Sequence, residues 1–114
     1  MSLLPKYQEV SPEEVHAQWE SRADVRLVDV RQECEYVQYH IPGVLLMPLG
    51  EISARFAVEL NPADKIICIC EHGIRSRNAA SFLADQGYAR VSTMTGGMDS
   101  YRGPVESGPS ESPA

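Results

Sequence analysis

The run Lys65-Ile66-Ile67-Cys68-Ile69-Cys70 constrains the fold of this chain more than any other stretch. Apolar residues at consecutive positions give a strand no polar face, so both of its sides must be covered. That places it centrally in a sheet. Three further runs read as strands: Arg26-Leu27-Val28-Asp29-Val30, Val44-Leu45-Leu46-Met47 and Val91-Ser92-Thr93-Met94. Helical patterns separate them, and this alternation is the signature of a parallel α/β layer structure.

The helices carry their own stop and start signals. Ser11-Pro12-Glu13-Glu14 offers Ser11 as N-cap, Pro12 at the first helical position and Glu14 to close a capping box. Val15 and Trp19 then share a face. A short helix is expected from about Gln32 to Tyr39, ended by the turn Ile41-Pro42-Gly43, and another from Leu49 to Leu60 with Ile52, Phe56 and Leu60 in register. Asn61 to Asp64 is a turn. Ser76 to Gln86 fits a helix with Ser76 as its cap, Ala79, Ala80, Phe82 and Leu83 available to the core, and Gly87 at its end. Gly96-Gly97 precedes a short helix reaching Tyr101.

With 114 residues, the chain has room for one core, assigned to residues 1–102. Residues 103–114 are dominated by Pro, Ser, Gly and Glu and read as a disordered tail. No apolar run approaches the roughly 20 residues of a membrane span. Met1-Ser2-Leu3-Leu4-Pro5 has none of the features of a signal peptide, so a cytoplasmic location is expected and a membrane is not. The net charge of −6 argues against nucleic acid as a partner. Around Cys70 the balance reverses: Arg75 and Arg77, with His72 nearby, outweigh Glu71, and such a cationic patch suits a small anionic ligand. Cys34, Cys68 and Cys70 are too few for a disulfide framework. The spacing of Cys68 and Cys70 lacks the second ligand pair of a structural zinc site, so no metal and no cofactor is expected. Reduced thiols, one of them reactive, fit better.

Cys70 is the candidate. It sits at the carboxyl end of the most apolar strand, before a tight loop and a helix, where open α/β sheets bind ligands. Amides of the loop and the helix start would direct donors at the sulfur and favour thiolate over thiol. Gly73 lets the loop turn with positive φ. An inert core cysteine ending a strand is the competing reading, but an inert thiol has no use for a cationic loop.

Cys70-x-x-Gly73-x-Arg75-Ser76 resembles the active-site loop of the rhodanese family. The set Leu27-Val28-Asp29-Val30-Arg31, Glu35-Tyr36, His40-Ile41-Pro42-Gly43 and Met47-Pro48-Leu49 resembles the first half of that family in order and spacing. Gly96-Gly97-Met98 with Tyr101 resembles its final segment, so the resemblance runs from about Tyr7 to Tyr101. It implies a five-stranded parallel sheet flanked by helices on both faces, and a sulfurtransferase reaction. Cys70 would take the outer sulfur of a donor such as thiosulfate and pass it, as a persulfide, to a thiophilic acceptor: cyanide, a thiol or a protein. Glu71, His72, Gly73, Ile74, Arg75 and Ser76 would form the cradle of that persulfide, with Arg31 at the same edge of the sheet. Phosphatases of the same fold have five residues between Cys and Arg. Here there are four, and the smaller loop fits one sulfur better than a tetrahedral phosphate or arsenate. A non-catalytic binding or regulatory module on this fold is the other alternative, and the presence of Cys70, Gly73 and Arg75 counts against it.

The remaining side chains divide by environment. Arg75 has two roles open, binding the donor anion or locking the loop through a carboxylate such as Glu35. Asp29 reads as a structural pairing residue, Arg77 as a surface charge, His40 as a structural turn residue and His16 as a surface residue of its helix. His72 reads as tuning the donor pocket rather than as a base, because a thiolate needs little proton abstraction. Cys68 is expected to be packed and inert. Cys34 is expected to be a partly buried helix cysteine, with sulfur relay or an oxidative disulfide to Cys70 as its sharper alternative.

Overall fold

A computed structural model describes residues 6–109. Met1 to Pro5 and the end of the expected tail, Ser110 to Ala114, lie outside the described residues. In chain order the elements are β1 (Gln8–Val10), α1 (Pro12–Glu20), β2 (Arg26–Asp29), α2 (Glu33–Gln38), β3 (Leu45–Leu46), a 3-10 turn (Leu49–Glu51) running into α3 (Ile52–Glu59), β4 (Ile66–Ile69), α4 (Ile74–Asp85), β5 (Val91–Met94) and a second 3-10 turn (Met98–Ser100). The strands form one parallel sheet in the order β1-β5-β4-β2-β3.

β4 is central, as its composition demands, and all four of its residues are buried. Its alternate residues feed two separate cores. Ile66, Cys68 and Cys70 pack with Ile52 of α3 and Ala79, Ala80 and Leu83 of α4. Ile67 and Ile69 pack with Val15 of α1, Tyr36 of α2, Met98 and Tyr101 on the opposite face. Helices thus cover both sides. The chain runs outward from β2 to β3, then crosses back to β4, so the topological switch point lies between the carboxyl ends of β2 and β4.

Several boundaries differ from the sequence expectation. β1 was not legible as a strand: three residues with an exposed, exposed, half-buried pattern carry too little periodicity. The third strand shrinks to Leu45–Leu46, although Met47 N–H still donates to the Asp29 carbonyl at 2.8 Å and Leu49 N–H to that of Val30 at 3.0 Å. The last helix begins at Ile74, so Ser76 does not cap it; Gly73 stands at the N-cap and Ser76 lies in the first turn, fully buried. Ser11 does accept from Glu14 N–H at 3.1 Å, and a return bond from a glutamate to a cap amide is found on α2, where Gln32 N–H donates to Glu35 Oε1 at 3.0 Å.

The expected disorder beyond residue 102 does not describe residues 103–109. His40 and Glu106 exchange two backbone bonds of 2.8 Å, Ser107 Oγ donates to the Gln38 carbonyl and Gly108 N–H to that of Val37. Backbone bonding needs no particular composition, which is why the tail's composition concealed this clasp. Among the described residues no helix is long and apolar enough to cross a membrane.

Candidate functional site

β4 delivers Cys70 one residue beyond its last ladder position, at the switch point, with 1 % of its surface exposed. The chain then turns sharply through Glu71, His72 and Gly73 before α4 begins. Gly73 has φ of 94°, in the left-handed region that favours glycine, and a β-carbon there would stand 3.4 Å from Gly96 N. This turn folds the loop over the sulfur. Gly73 N–H donates to Cys70 Sγ at 3.0 Å and Ser76 N–H at 3.3 Å. The Ser76 hydroxyl stands 3.4 Å from the same sulfur and 2.6 Å from Thr93 Oγ1. Donors converging on one atom at a helix start stabilise negative charge there.

Three anchors hold this loop. On the β2 side, Arg31 has no exposed surface, and its guanidinium is committed to Asp29 (2.8–3.2 Å), to the Tyr39 carbonyl at 2.7 Å and to Glu71 Oε1 at 3.1 Å. Burial works against the Arg31 charge, but Asp29 and Glu71 more than offset it and raise its pKa. Glu71 also accepts from Tyr39 Oη at 2.7 Å; burial first, and then Glu71, push the Tyr39 phenol up to about 12 and keep it a donor. Across the mouth, Arg75 grips both oxygens of Glu35 at 2.7 Å each. Its hydrogen bonds hold the Glu35 carboxyl down at about 2. From below, Met98 N–H donates to the Cys70 carbonyl at 2.8 Å and Asp99 N–H to that of Glu71 at 3.0 Å.

The structure therefore brings Cys70, Gly73 and Ser76 together around one sulfur, with Arg75 and Arg31 as braces of the loop. The pairing of Arg75 with Glu35 is formed. Glu71 lends its side chain to Arg31 and Tyr39 rather than to the mouth. His72 is exposed, and Ile74 keeps 62 % of its surface exposed at the helix start. The side chains of His72 and Arg77 are without hydrogen-bond or ion-pair partners among the described residues, and they line a cleft of about 180 Å³ with Gly73, Thr93, Gly96 and Glu9. Cys34 is exposed on α2 rather than partly buried. Cys68 is fully buried, and burial pushes its thiol up to about 12, leaving it inert. His40 is buried, its ring stacked on Tyr36 at 3.7 Å.

Sequence reasoning passed over two contributors. Tyr39 and Thr93 reach the site only through the register of β2, β4 and β5, where Cys68 stands beside Thr93. Glu71 is expected in the cradle through its amide, and no local signal marks the turn of its side chain toward Arg31.

A central strand ending in a cysteine, a six-residue cradle and braces from both neighbouring elements define the class. The chain matches the rhodanese-like domain family over residues 11–103 and belongs to it. Among its relatives are proteins named as a putative sulfur carrier and as sulfurtransferases. It is 40 % identical over 98 residues to the putative sulfur carrier protein YrkF of Bacillus subtilis, of which it spans 52 %. It is 35 % identical over 97 residues to the thiosulfate sulfurtransferase GlpE of Actinobacillus pleuropneumoniae, covering 83 % of this chain and 86 % of that protein. The fold is that of the rhodanese-like domain of an Anabaena protein, with a TM-score of 0.81 at 24 % identity over 98 % of this chain and 86 % of that one.

Proposed function

We propose that the protein is a sulfurtransferase that carries one sulfur atom as a persulfide on Cys70. The observation that carries this reading is the convergence of Gly73 N–H, Ser76 N–H and the Ser76 hydroxyl on Sγ. In the first half-reaction the Cys70 thiolate attacks the outer sulfur of a donor such as thiosulfate. A new S–S bond forms, the donor's S–S bond breaks, and sulfite leaves with the bonding pair. In the second, an acceptor (cyanide, a thiol or a protein thiol) attacks the outer sulfur. The Cys70–S bond breaks and the thiolate is restored. No redox partner or metal takes part.

Roles follow from geometry. The loop amides and Ser76 stabilise the anionic sulfur before and after transfer. His72 and Arg77, exposed and unpartnered beside the cleft, attract a small anionic donor. Arg31, Glu71, Tyr39, Arg75 and Glu35 hold the loop in shape. The commitment of Arg75 to Glu35 also weighs against phosphatase or arsenate reductase chemistry, where a guanidinium fork turned toward the oxyanion is the natural partner. Three free thiols suit a reducing compartment such as the cytoplasm.

The test is direct. Incubation with thiosulfate adds about 32 Da, one sulfur, to the intact protein, and cyanide removes it with release of thiocyanate. Cys70→Ser takes up none, and Cys34→Ala takes up as much as the unmodified protein. An unmodified protein that stays at its original mass, or an adduct that survives in Cys70→Ser, overturns the reading.

A further inference from the structure

Thr93 has no part in the roles assigned so far, yet it is 1 % exposed and its hydroxyl is bonded at 2.6 Å to Ser76 Oγ, itself fully buried. Ser76 Oγ in turn stands 3.4 Å from Cys70 Sγ. Three polar atoms from β5, α4 and the end of β4 thus form a chain inside an otherwise apolar core. A serine hydroxyl has one hydrogen to give. When the sulfur is anionic it can only accept, so Ser76 must donate to sulfur and Thr93 must donate to Ser76. When the sulfur is a neutral thiol the order reverses, with S–H donating to Ser76. A serine in a helix also has a competing partner, since its hydroxyl readily swings to a backbone carbonyl of the preceding turn. A donor arriving from β5 opposes that swing. Thr93 is suited to it, because β-branching limits its χ1 and holds the hydroxyl in place.

We propose that Thr93 is a positioning residue for sulfur transfer: by donating to Ser76 Oγ, it commits the single Ser76 hydrogen to the anionic sulfur on Cys70. The inference rests on the sulfurtransferase reading for its purpose, but its test does not depend on that reading. The readout is the rate at which iodoacetamide labels Cys70, followed by peptide mass mapping so that exposed Cys34 is scored separately. Thr93→Val keeps the shape and removes the hydroxyl. It is expected to slow Cys70 labelling at neutral pH about tenfold, the scale of one hydrogen bond to a charged group. Thr93→Ser restores the hydroxyl and stays within about twofold of the unmodified protein. In a Ser76→Ala background, Thr93→Val brings no further loss, because its effect passes through Ser76.

A purely structural Thr93 gives a different pattern. An unchanged labelling rate in Thr93→Val, a Thr93→Ser variant as slow as Thr93→Val, or a full further loss in the Ser76→Ala background overturns the proposal. If the unmodified protein is labelled at Cys70 but takes no sulfur from thiosulfate, the sulfurtransferase reading falls while the labelling series still decides the role of Thr93.

Discussion

Arg75 and Glu35 form the clasp at the mouth of the loop, with side chains 33 % and 29 % exposed. A bidentate pair in that setting contributes on the order of 1 kcal/mol. Its pH dependence has a fixed sign. The Glu35 carboxyl lies near 2 in the fold against an ordinary 4.5, chiefly through its hydrogen bonds to Arg75. A depressed carboxyl stabilises the fold fully above its ordinary value, and this contribution is lost as pH falls from 4.5 toward 2. Glu35→Gln is therefore expected to melt a few degrees lower at pH 7, and the gap to the unmodified protein closes as the pH approaches 2. Thermal unfolding followed across that range checks it. A gap of constant size would mean that Glu35 acts through packing and not through charge.

At the scale of elements, the loop between β4 and α4 is shaped as much by the turn behind it as by its own residues. Gly97 has φ of 67° and ψ of −165°, and a β-carbon there would fall 2.3 Å from the Glu71 carbonyl oxygen. The same approach lets the Met98 and Asp99 amides reach the Cys70 and Glu71 carbonyls. Gly97→Ala is expected to destabilise the fold by about 3 kcal/mol and to displace the cradle, since backbone strain and a clash with backbone add together. Gly43→Ala is its control: φ is 84° but nothing lies within 4 Å of the added carbon, so the cost is the conformational one of about 1–2 kcal/mol. Denaturant midpoints separate the two. Equal losses would show that the approach to Glu71 carries no weight.

At the scale of the whole molecule, residues 104–108 close the structure by bonding back to the end of α2. Tyr39 and His40 stand at that end, and Tyr39 supports Arg31 and Glu71. The clasp also places Glu106 Oε2 3.4 Å from His40 Nε2. Truncation after Gly103 removes three backbone bonds and exposes part of the stacked Tyr36–His40 pair. The expected loss is about 1–3 kcal/mol, or a melting temperature lower by roughly 5–15 °C for a domain of this size. Cys70 remains in place, so the sulfur uptake proposed for it is expected to survive truncation below the lowered melting temperature, a separation that calorimetry and intact-mass measurement resolve together.

The sequence by itself determined the parts whose information is local. The continuous apolar run of β4, the cap Ser11, the flexible Gly73 and the position of Cys70 at a strand end are properties of neighbouring residues, and periodicity or turn chemistry exposes them. Only the tertiary structure decided how distant residues meet. The partner of Arg75, the burial of Arg31, the turn of Glu71 toward Tyr39 and the pairing of Ser76 with Thr93 depend on strand register and helix docking, which bring residues up to 40 positions apart within hydrogen-bond distance. The clasp of residues 104–108 belongs there too, because it is made by backbone groups that every residue carries. A candidate cysteine and the loop amides around it can be read from its neighbours in the chain; the side chains that brace that loop can be read only from its neighbours in space.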